Sequence, residues 1–152
     1  MTLTLVVGTN TWIDLADADL YFEGRLNSAA WDAATDVVKN KALVTAFNQL
    51  DNSEDYSFPA TVALITASMT NGQCEQSLFM LLHIDSFDRR IGIQAQGVKE
   101  AGIVKEKYVE EMMGKYTVCP QAKTYLKGYE TGKMLFINDL DRDSNEDADT
   151  SI

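Results

Sequence analysis

His83 is the only histidine in this chain and the side chain most suited to acid–base chemistry near neutral pH. No Ser or Cys nucleophile and no paired carboxylate accompanies it at a spacing typical of catalysis. The apolar pattern around it places it at the end of a predicted helix, where a ring that can carry positive charge is favoured. We therefore expect His83 to cap or pack against that helix and not to catalyse a reaction.

Three carboxylates close together, Asp14, Asp17 and Asp19, are the nearest approach to a metal-binding pattern. They lack the glycine and the distal glutamate of a calcium loop. Asp14 precedes an apolar helical stripe and so predicts a helix N-cap, with Asp17 and Asp19 in the first turns, where the helix dipole favours them. We expect no metal and no cofactor here.

Two cysteines, Cys74 and Cys119, lie 45 residues apart with no CxxC pattern. They are too few for a disulfide framework, and we expect reduced thiols, with Cys74 as a small core residue. The chain also has no glycine-rich phosphate loop, no dinucleotide fingerprint and no HExxH motif. The sequence therefore predicts no enzyme.

Acidic residues dominate the charge of this 152-residue chain, whose 23 acids and 13 bases give a formal charge of −10. Residues 139–152 hold six acids and one Arg, so this tail carries −5 and the body carries the other −5. Polyanion binding needs clustered Lys and Arg, which argues against a nucleic-acid-binding surface. No apolar run reaches the roughly 20 residues of a membrane helix, and the N-terminus does not resemble a secretory signal.

Apolar residues at spacings of three and four predict four helices, at residues 15–26, 36–50, 66–83 and 120–129. Trp31, between the first two, is a predicted core anchor. Pro120 opens the last helix at its first position. The length suits one domain, so we predict a mainly α fold, a small helical bundle over residues 1–130 with a β-hairpin and an extended C-terminal tail.

A change of period follows the third helix. Residues 84–92 are charged and predict a loop, and alternating apolar residues then predict a hairpin of strands 91–98 and 103–109. An isolated hairpin is marginal in water, so it must pack on the helices or on a neighbouring chain. The candidate inter-subunit residues of this hairpin are Ile93, Ala95, Val98, Ile103, Val104 and Tyr108.

The segment 131–152 reads as a docking extension with an acidic, disordered end. An isolated apolar tetrapeptide lies near its start, between Gly132 and the acidic tail. Such a segment can pack on its own domain, or it can insert into the groove of a partner. The candidate docking residues are Met134, Leu135, Phe136 and Ile137.

Residues 10–25 resemble the opening motif of a family of tailed-phage proteins. The family motif reads N-S-Y-V-S-x-A-E-A-D-x-Y-F-x-x-R, and this chain reads N-T-W-I-D-L-A-D-A-D-L-Y-F-E-G-R. In the family a Trp follows this helix, and Trp31 stands at that place.

Later motifs follow in the family's order. Residues 39–51 resemble K-x-x-A-L-I-x-A-T-x-x-L-D, and residues 65–78 resemble I-P-x-x-V-K-x-A-Q-C-E-x-A-L, with Gly72 and Ser77 in place of alanines. The family's W-P-R turn is reduced to Phe58-Pro59-Ala60. Residues 97–108 resemble the hairpin motif G-V-K-x-x-x-x-G-x-V-x-x-x-Y with imperfect spacing.

This family is known as head–tail connector proteins, also called adaptor or head-completion proteins, and the resemblance covers about residues 3–130. It implies a small helical domain that forms a ring, commonly a dodecamer, beneath the portal in the neck of the virion. The implied partners are further copies of the chain, the portal protein, and a stopper or tail protein. Genomic DNA would pass through without specific binding, and the chain would reside in the host cytoplasm during assembly. No membrane partner is implied.

The same family carries the label of DnaT-like single-stranded DNA-binding protein, which is the alternative function. An acidic ring repels a DNA duplex and lets it slide, whereas a lysine-lined ring would bind it. The net charge therefore favours a connector over a DNA-binding replication protein. An assembly chaperone that is absent from the mature particle is a third class.

Overall fold

The structure, a computed structural model, describes residues 3–97, 100–101, 106–107 and 116–132. Most of these residues are helical, which confirms the predicted mainly α class. The helices are α1 Leu15–Glu23, α2 Ala29–Asp32, α3 Asp36–Asp51, α4 Ala67–Ala95 and α5 Pro120–Leu126, with short 3₁₀ turns at Val62–Leu64 and Lys127–Tyr129. No helix in this part of the chain is long and apolar enough to cross a membrane.

Helix α1 begins as predicted, because the Asp14 side chain caps it by accepting a hydrogen bond from the Asp17 N–H at 2.8 Å. It ends three residues earlier than predicted, at Glu23. Asn27 has a left-handed φ of 62°, which turns the chain away. Leu26, the last residue of the predicted helix, lies beyond its end and is 92% exposed.

Trp31 is buried as predicted, but on the short helix α2 rather than in a loop. It stacks on Phe22 of α1 with ring centroids 4.3 Å apart. Helix α3 matches its predicted range to within one residue and buries one face, whereas Val38 near its start is exposed. The buried residues of α3 are Ala42, Leu43, Ala46, Phe47 and Leu50.

Helix α4 is much longer than predicted. The predicted loop at 84–92 and the first predicted strand at 91–98 were wrong, because one helix runs through to Ala95. Asp85, Asp88 and Arg89 are exposed, whereas Phe87 and Gln94, seven residues apart, are buried, which is a helical period. The alternation over residues 91–97 was too short to distinguish a strand from this helix. His83 therefore lies inside a helix and not at its end.

The predicted hairpin is not supported. Ile93 and Ala95 lie in α4, and the only β-ladder among the described residues pairs β1 Glu100–Ala101 with β2 Glu106–Lys107. The two strands are antiparallel, with Glu100 opposite Lys107 and Ala101 opposite Glu106. The other hairpin candidates, Val98, Ile103, Val104 and Tyr108, lie outside the described residues.

Two buried clusters pack around α4. Met69 belongs to the first cluster, and Cys74 and Leu78 belong to the second. Since Met69 and Cys74 are five residues apart, their side chains point about 140° apart around the helix. The first cluster contains Trp12, Phe47, Leu50, Tyr56, Met69, Val118, Cys119, Ala122 and Leu126. The second contains Ile13, Ala18, Phe22, Trp31, Leu43, Cys74 and Leu78.

Helix α5 starts at Pro120 as predicted, and the Cys119 Sγ caps it by accepting the Ala122 N–H at 3.3 Å. It packs closely on α4 at Gly72, where an added Cβ would lie 2.8 Å from Leu126 Cδ2. The lack of a side chain at Gly72 thus allows the two helices to approach closely.

After α5, the chain returns to the loop that follows α3. The Ser57 N–H donates to Tyr129 O at 2.8 Å, and the Thr131 N–H donates to Asp55 O at 2.9 Å. These bonds hold residues 129–131 on the body. Met134, Leu135, Phe136 and Ile137 and the acidic residues 139–152 lie outside the described residues.

Candidate functional site

The most buried stretch of α4 is Gly72–Leu78, and it is largely polar. The apolar run that follows, residues 79–82, is less buried, since Leu82 is 54% exposed. Buried polar groups are costly unless they are hydrogen-bonded, so their partners show what this stretch does.

Gln73 joins three parts of the fold. Its Oε1 accepts the Trp12 N–H at 2.8 Å, and its Nε2 donates to the Thr11 hydroxyl at 2.8 Å and to Leu43 O at 2.9 Å. One fully buried amide therefore ties α4 to the N-terminal segment and to α3.

Gln76, on another side of α4, likewise joins this helix to α3 and to the segment before α5. Its Oε1 accepts the Cys119 N–H at 2.9 Å, and its Nε2 donates to Thr117 O at 3.1 Å and to Gln49 Oε1 at 2.9 Å. The backbone of Thr117 and Cys119, just before α5, thus bonds to the Gln76 side chain, as it would to the backbone of a neighbouring strand.

Glu75 is the one charged residue in the buried stretch, with 5% of its surface exposed. Arg25 pairs with both of its oxygens, Nε to Oε1 at 2.6 Å and Nη2 to Oε2 at 2.8 Å. The Tyr21 hydroxyl donates to Oε1 at 2.6 Å and lies 3.4 Å from the Tyr125 hydroxyl. This Arg25–Glu75 cluster joins α1, α4 and α5. The hydrogen bonds that Arg25 donates to Glu75 raise the pKa of Arg25.

Asp19, one of the three neighbouring carboxylates of the sequence, binds a lysine ammonium group and an indole N–H. It accepts the Trp31 Nε1–H at 2.8 Å and the Lys39 ammonium at 2.9 Å. Burial by itself would raise the pKa of Asp19, but the bonds from Lys39 and Trp31 outweigh it and hold the pKa below its usual value. Since Asp14 is a helix cap and Asp19 an ion-pair partner, these carboxylates do not converge on a metal. The described part of the chain contains no cluster of three metal-ligating side chains.

Neither thiol is arranged for nucleophilic chemistry. Cys74 and Cys119 are both buried and free, as predicted for Cys74. Burial raises the pKa of each thiol, so both stay protonated near neutral pH. His83 lies 4.7 Å from Phe79 between ring centroids, which is a packing contact.

The chain should lose stability as the pH rises above about 9, the ordinary pKa of a thiol. Burial raises the pKa values of Cys74, Tyr21 and Tyr56 in the folded state. A group whose pKa is raised by folding contributes its full stabilisation at any pH below its ordinary pKa. This contribution is lost as the pH rises from the ordinary pKa towards the raised pKa of the folded state. For Cys74, which is fully buried, the loss is up to about 1.4 kcal/mol per pH unit.

Urea unfolding at pH 8, 9 and 10 measures this loss. Cys74→Ala should reduce the slope of unfolding free energy against pH, whatever its effect at pH 8. A free energy that stays constant from pH 8 to 10 would contradict the assignment.

The surface offers two concave regions of interest. A groove of about 630 Å³ runs beside α1, with apolar lining from Val7, Ile13 and Leu20, of which Leu20 is 62% exposed. A polar cleft of about 540 Å³ lies at the C-terminal end of α3 and includes Asn48, Asp55 and Tyr116. Neither region was predicted from the sequence.

Among the site residues predicted from the sequence, the structure brings none together in one place. Ile93 and Ala95 are on α4, and the others lie outside the described residues. Sequence reasoning also missed the roles of Gln73 and Gln76. A signal was present in the sequence, because residues 73–77 place polar side chains on all sides of one helical turn. A helix that only presents one face to solvent carries its polar residues on that face alone.

Comparison with known proteins adds no relative: no family model, no curated protein and no solved structure matches this chain.

Proposed function

We propose that this chain is a structural, non-enzymatic head–tail connector subunit of a tailed-phage virion. It assembles as a ring, commonly of twelve copies, between the portal and the tail or stopper protein in the neck. Assembly takes place in the host cytoplasm, and genomic DNA passes through the ring without specific binding.

One observation carries this proposal: two separate motifs of the family resemblance meet in space. Tyr21 and Arg25 belong to the motif of residues 10–25, and Glu75 belongs to the motif of residues 65–78. Their side chains form the Arg25–Glu75 cluster across 50 positions of sequence. If the motifs of the family occur together because they build one core, their residues should be in contact. The contacts seen here therefore support the same helical body in this chain as the resemblance implies.

A third motif position joins the same body. Trp31, which stands where the family places a Trp after its first helix, donates to Asp19 of the first motif. The resemblance therefore rests on residues that hold α1, α2 and α4 together. Such residues specify the shape of a subunit rather than a chemical reaction.

Exposed apolar side chains on the rigid helices suit lateral contacts in a ring. Leu20 on α1 and Val37 and Val38 on α3 are all more than a third exposed. Apolar side chains of this size on the outside of a helix can be buried by a neighbouring copy. The net charge of −10 suits a channel wall that does not hold DNA phosphates.

The segment Met134–Ile137 remains the candidate for docking on the portal. Deleting residues 133–152 should leave a folded domain that no longer joins portal-containing heads to tails. The cut follows Gly132 because Thr131 is bonded to the body through Asp55 and Glu54. Complementation of a phage that lacks its own copy, scored as plaque formation and by electron microscopy of the necks, measures the effect.

A second truncation, deletion of 139–152, is the matched control, because it removes the acidic end and keeps Met134–Ile137. It should restore normal joining. If the chain without 133–152 also joins heads normally, the docking segment is wrong.

The alternative of single-stranded DNA binding has less support. Lys123 on α5 and Lys127 on the 3₁₀ turn after it are the basic residues of the described segment 116–132, Arg89 on α4 follows Asp85 and Asp88, and the net charge of −10 opposes phosphate binding. Tight, strongly salt-dependent binding of an oligonucleotide by the purified chain would favour it over the connector. Absence of the chain from purified virions by mass spectrometry would favour an assembly chaperone.

A further inference from the structure

The N-terminal segment, residues 3–7, has the period of a β-strand but belongs to no sheet in the described part of the chain. Half-buried Leu3 and Leu5 alternate with exposed Thr4 and Val6, and a period of two is that of a strand. Leu5 packs against the second buried cluster, so the segment is fixed on the body by its inner side chains. It therefore lies there as a single strand.

One backbone edge of this strand is occupied and the other is unpaired. Backbone groups of alternate residues in a strand point to the same edge. On the even-numbered edge, the Asn10 side chain accepts the Val6 N–H at 2.8 Å and donates to Thr4 O at 3.0 Å. On the odd-numbered edge, no backbone N–H or C=O group bonds to a described residue. The residues of this unpaired edge are Leu3, Leu5 and Val7.

The unpaired edge calls for a further strand. The bridge between Val7 and Thr11 does not use the backbone groups of Val7 itself, because it is the Gly8 N–H that donates to Thr11 O, at 2.7 Å. Unpaired donors and acceptors along an edge are a template for an extended segment of another chain, which supplies the missing hydrogen bonds. The chemistry of the edge therefore suits a peptide backbone.

Two uncharged segments of the chain meet beside this strand. Residues 3–13 and 56–74 contain no Lys, Arg, Asp or Glu, although the chain as a whole carries −10. They touch at Gly8, where an added Cβ would collide with the Val62 side chain. Val62 and Leu64 are both more than half exposed, so apolar surface continues from the strand onto this turn. Two copies of an acidic chain repel each other least where the contacting segments carry no charge.

We propose that a second copy of this chain covers the edge, so that the N-terminal segments of two copies pair as antiparallel strands about a twofold axis. The register that pairs the whole unpaired edge places Leu3 of one copy opposite Val7 of the other, with the two Leu5 residues opposite each other. Thr4 of one copy then lies opposite Val6 of the other, with their Cα atoms about 4.5 Å apart. Such a contact is self-complementary and closes at two copies.

This dimer goes beyond the connector role and does not depend on it. Two copies related by a twofold axis face opposite ways, whereas the copies of a ring beneath a portal all face the same way. The dimer is therefore a form of the free chain, and it separates before the chain enters the proposed ring. The paired strands are short, so the interface is small and the association is weak and reversible.

Sedimentation equilibrium of the full chain at increasing concentrations should show a reversible equilibrium between monomer and dimer. Val6→Glu, at a side chain that is 49% exposed, adds a negative charge to each paired strand and should raise the Kd of the dimer roughly tenfold. Leu82→Glu, at a side chain 54% exposed on α4, is the matched control and should leave the Kd unchanged. A chain that stays monomeric, or an association that Val6→Glu leaves intact, would overturn the proposal and leave the connector role untouched.

Disulfide cross-linking tests the register. An equal mixture of Thr4→Cys and Val6→Cys chains should form a covalent dimer under mild oxidation, because the two positions lie opposite each other. Either variant alone places its two new cysteines diagonally, about 7 to 8 Å apart, and should cross-link far more slowly. The native Cys74 and Cys119 are buried and do not compete. No cross-link in the mixture, or equally fast cross-linking within one variant, would overturn the proposed pairing.

Discussion

Arg25→Met should lower the free energy of unfolding by about 3 kcal/mol, because it leaves the carboxylate of Glu75 buried without its countercharge. Glu75 is 5% exposed, and Arg25 supplies two of its three hydrogen bonds. Methionine keeps the apolar stem of the arginine, so the loss reports on the charge and on the hydrogen bonds of the guanidinium, which include those to Leu26 O and Asn27 O, rather than on packing. Urea unfolding at pH 7 measures the change.

Lys41→Met is the matched control, since Lys41 is an exposed cation on α3. It should change the free energy of unfolding by less than about 0.5 kcal/mol. The double variant Arg25→Met with Glu75→Leu should recover much of the loss, because an apolar pair replaces a buried ion pair at little cost. A loss below about 1 kcal/mol in Arg25→Met would mean that water reaches Glu75.

The Arg25–Glu75 cluster is therefore better understood as a device for specificity than as a source of stability. Removing both charges is predicted to cost little, whereas removing one costs much. What the pair provides is a unique arrangement of α1 on α4, with Tyr21 and Tyr125 extending it towards α5. The proposed connector role requires such a fixed arrangement of the helices.

Gln73→Leu should lower the free energy of unfolding by a similar amount, about 3 kcal/mol, because it removes three buried hydrogen bonds at once. The largest part comes from the Trp12 N–H, which Gln73 Oε1 accepts in a fully buried position. Leucine has nearly the same size, so packing changes little while a buried donor loses its partner. The measurement is urea unfolding at pH 7.

A structural readout distinguishes this loss from a general weakening. Hydrogen exchange in residues 3–13 should rise more than exchange in α5, because Gln73 holds the N-terminal segment and Gln76 holds the segment before α5. Gln121→Leu, at an exposed glutamine on α5, is the control and should leave both regions unchanged. Unchanged exchange in residues 3–13 would show that other contacts hold this segment.

Local pattern was sufficient for several elements of the fold. The apolar spacing of three and four located α3 almost to the residue, and Asp14 and Pro120 marked the starts of α1 and α5. These features depend on interactions within one turn or on one buried face, which a sequence displays directly. The composition also predicted a mainly helical chain with a large negative charge, both properties of the chain itself.

The tertiary structure alone decided the length of α4 and the roles of its polar residues. Charged residues such as Asp85 and Arg89 suggested a loop, but they lie on the exposed side of a helix whose other side carries Phe87 and Gln94. Glu75 pairs with a residue 50 positions away, and Gln73 pairs with residues 30 to 62 positions away. No local period records such partners, because a polar side chain in a helix looks the same whether water or a distant backbone group accepts its bond.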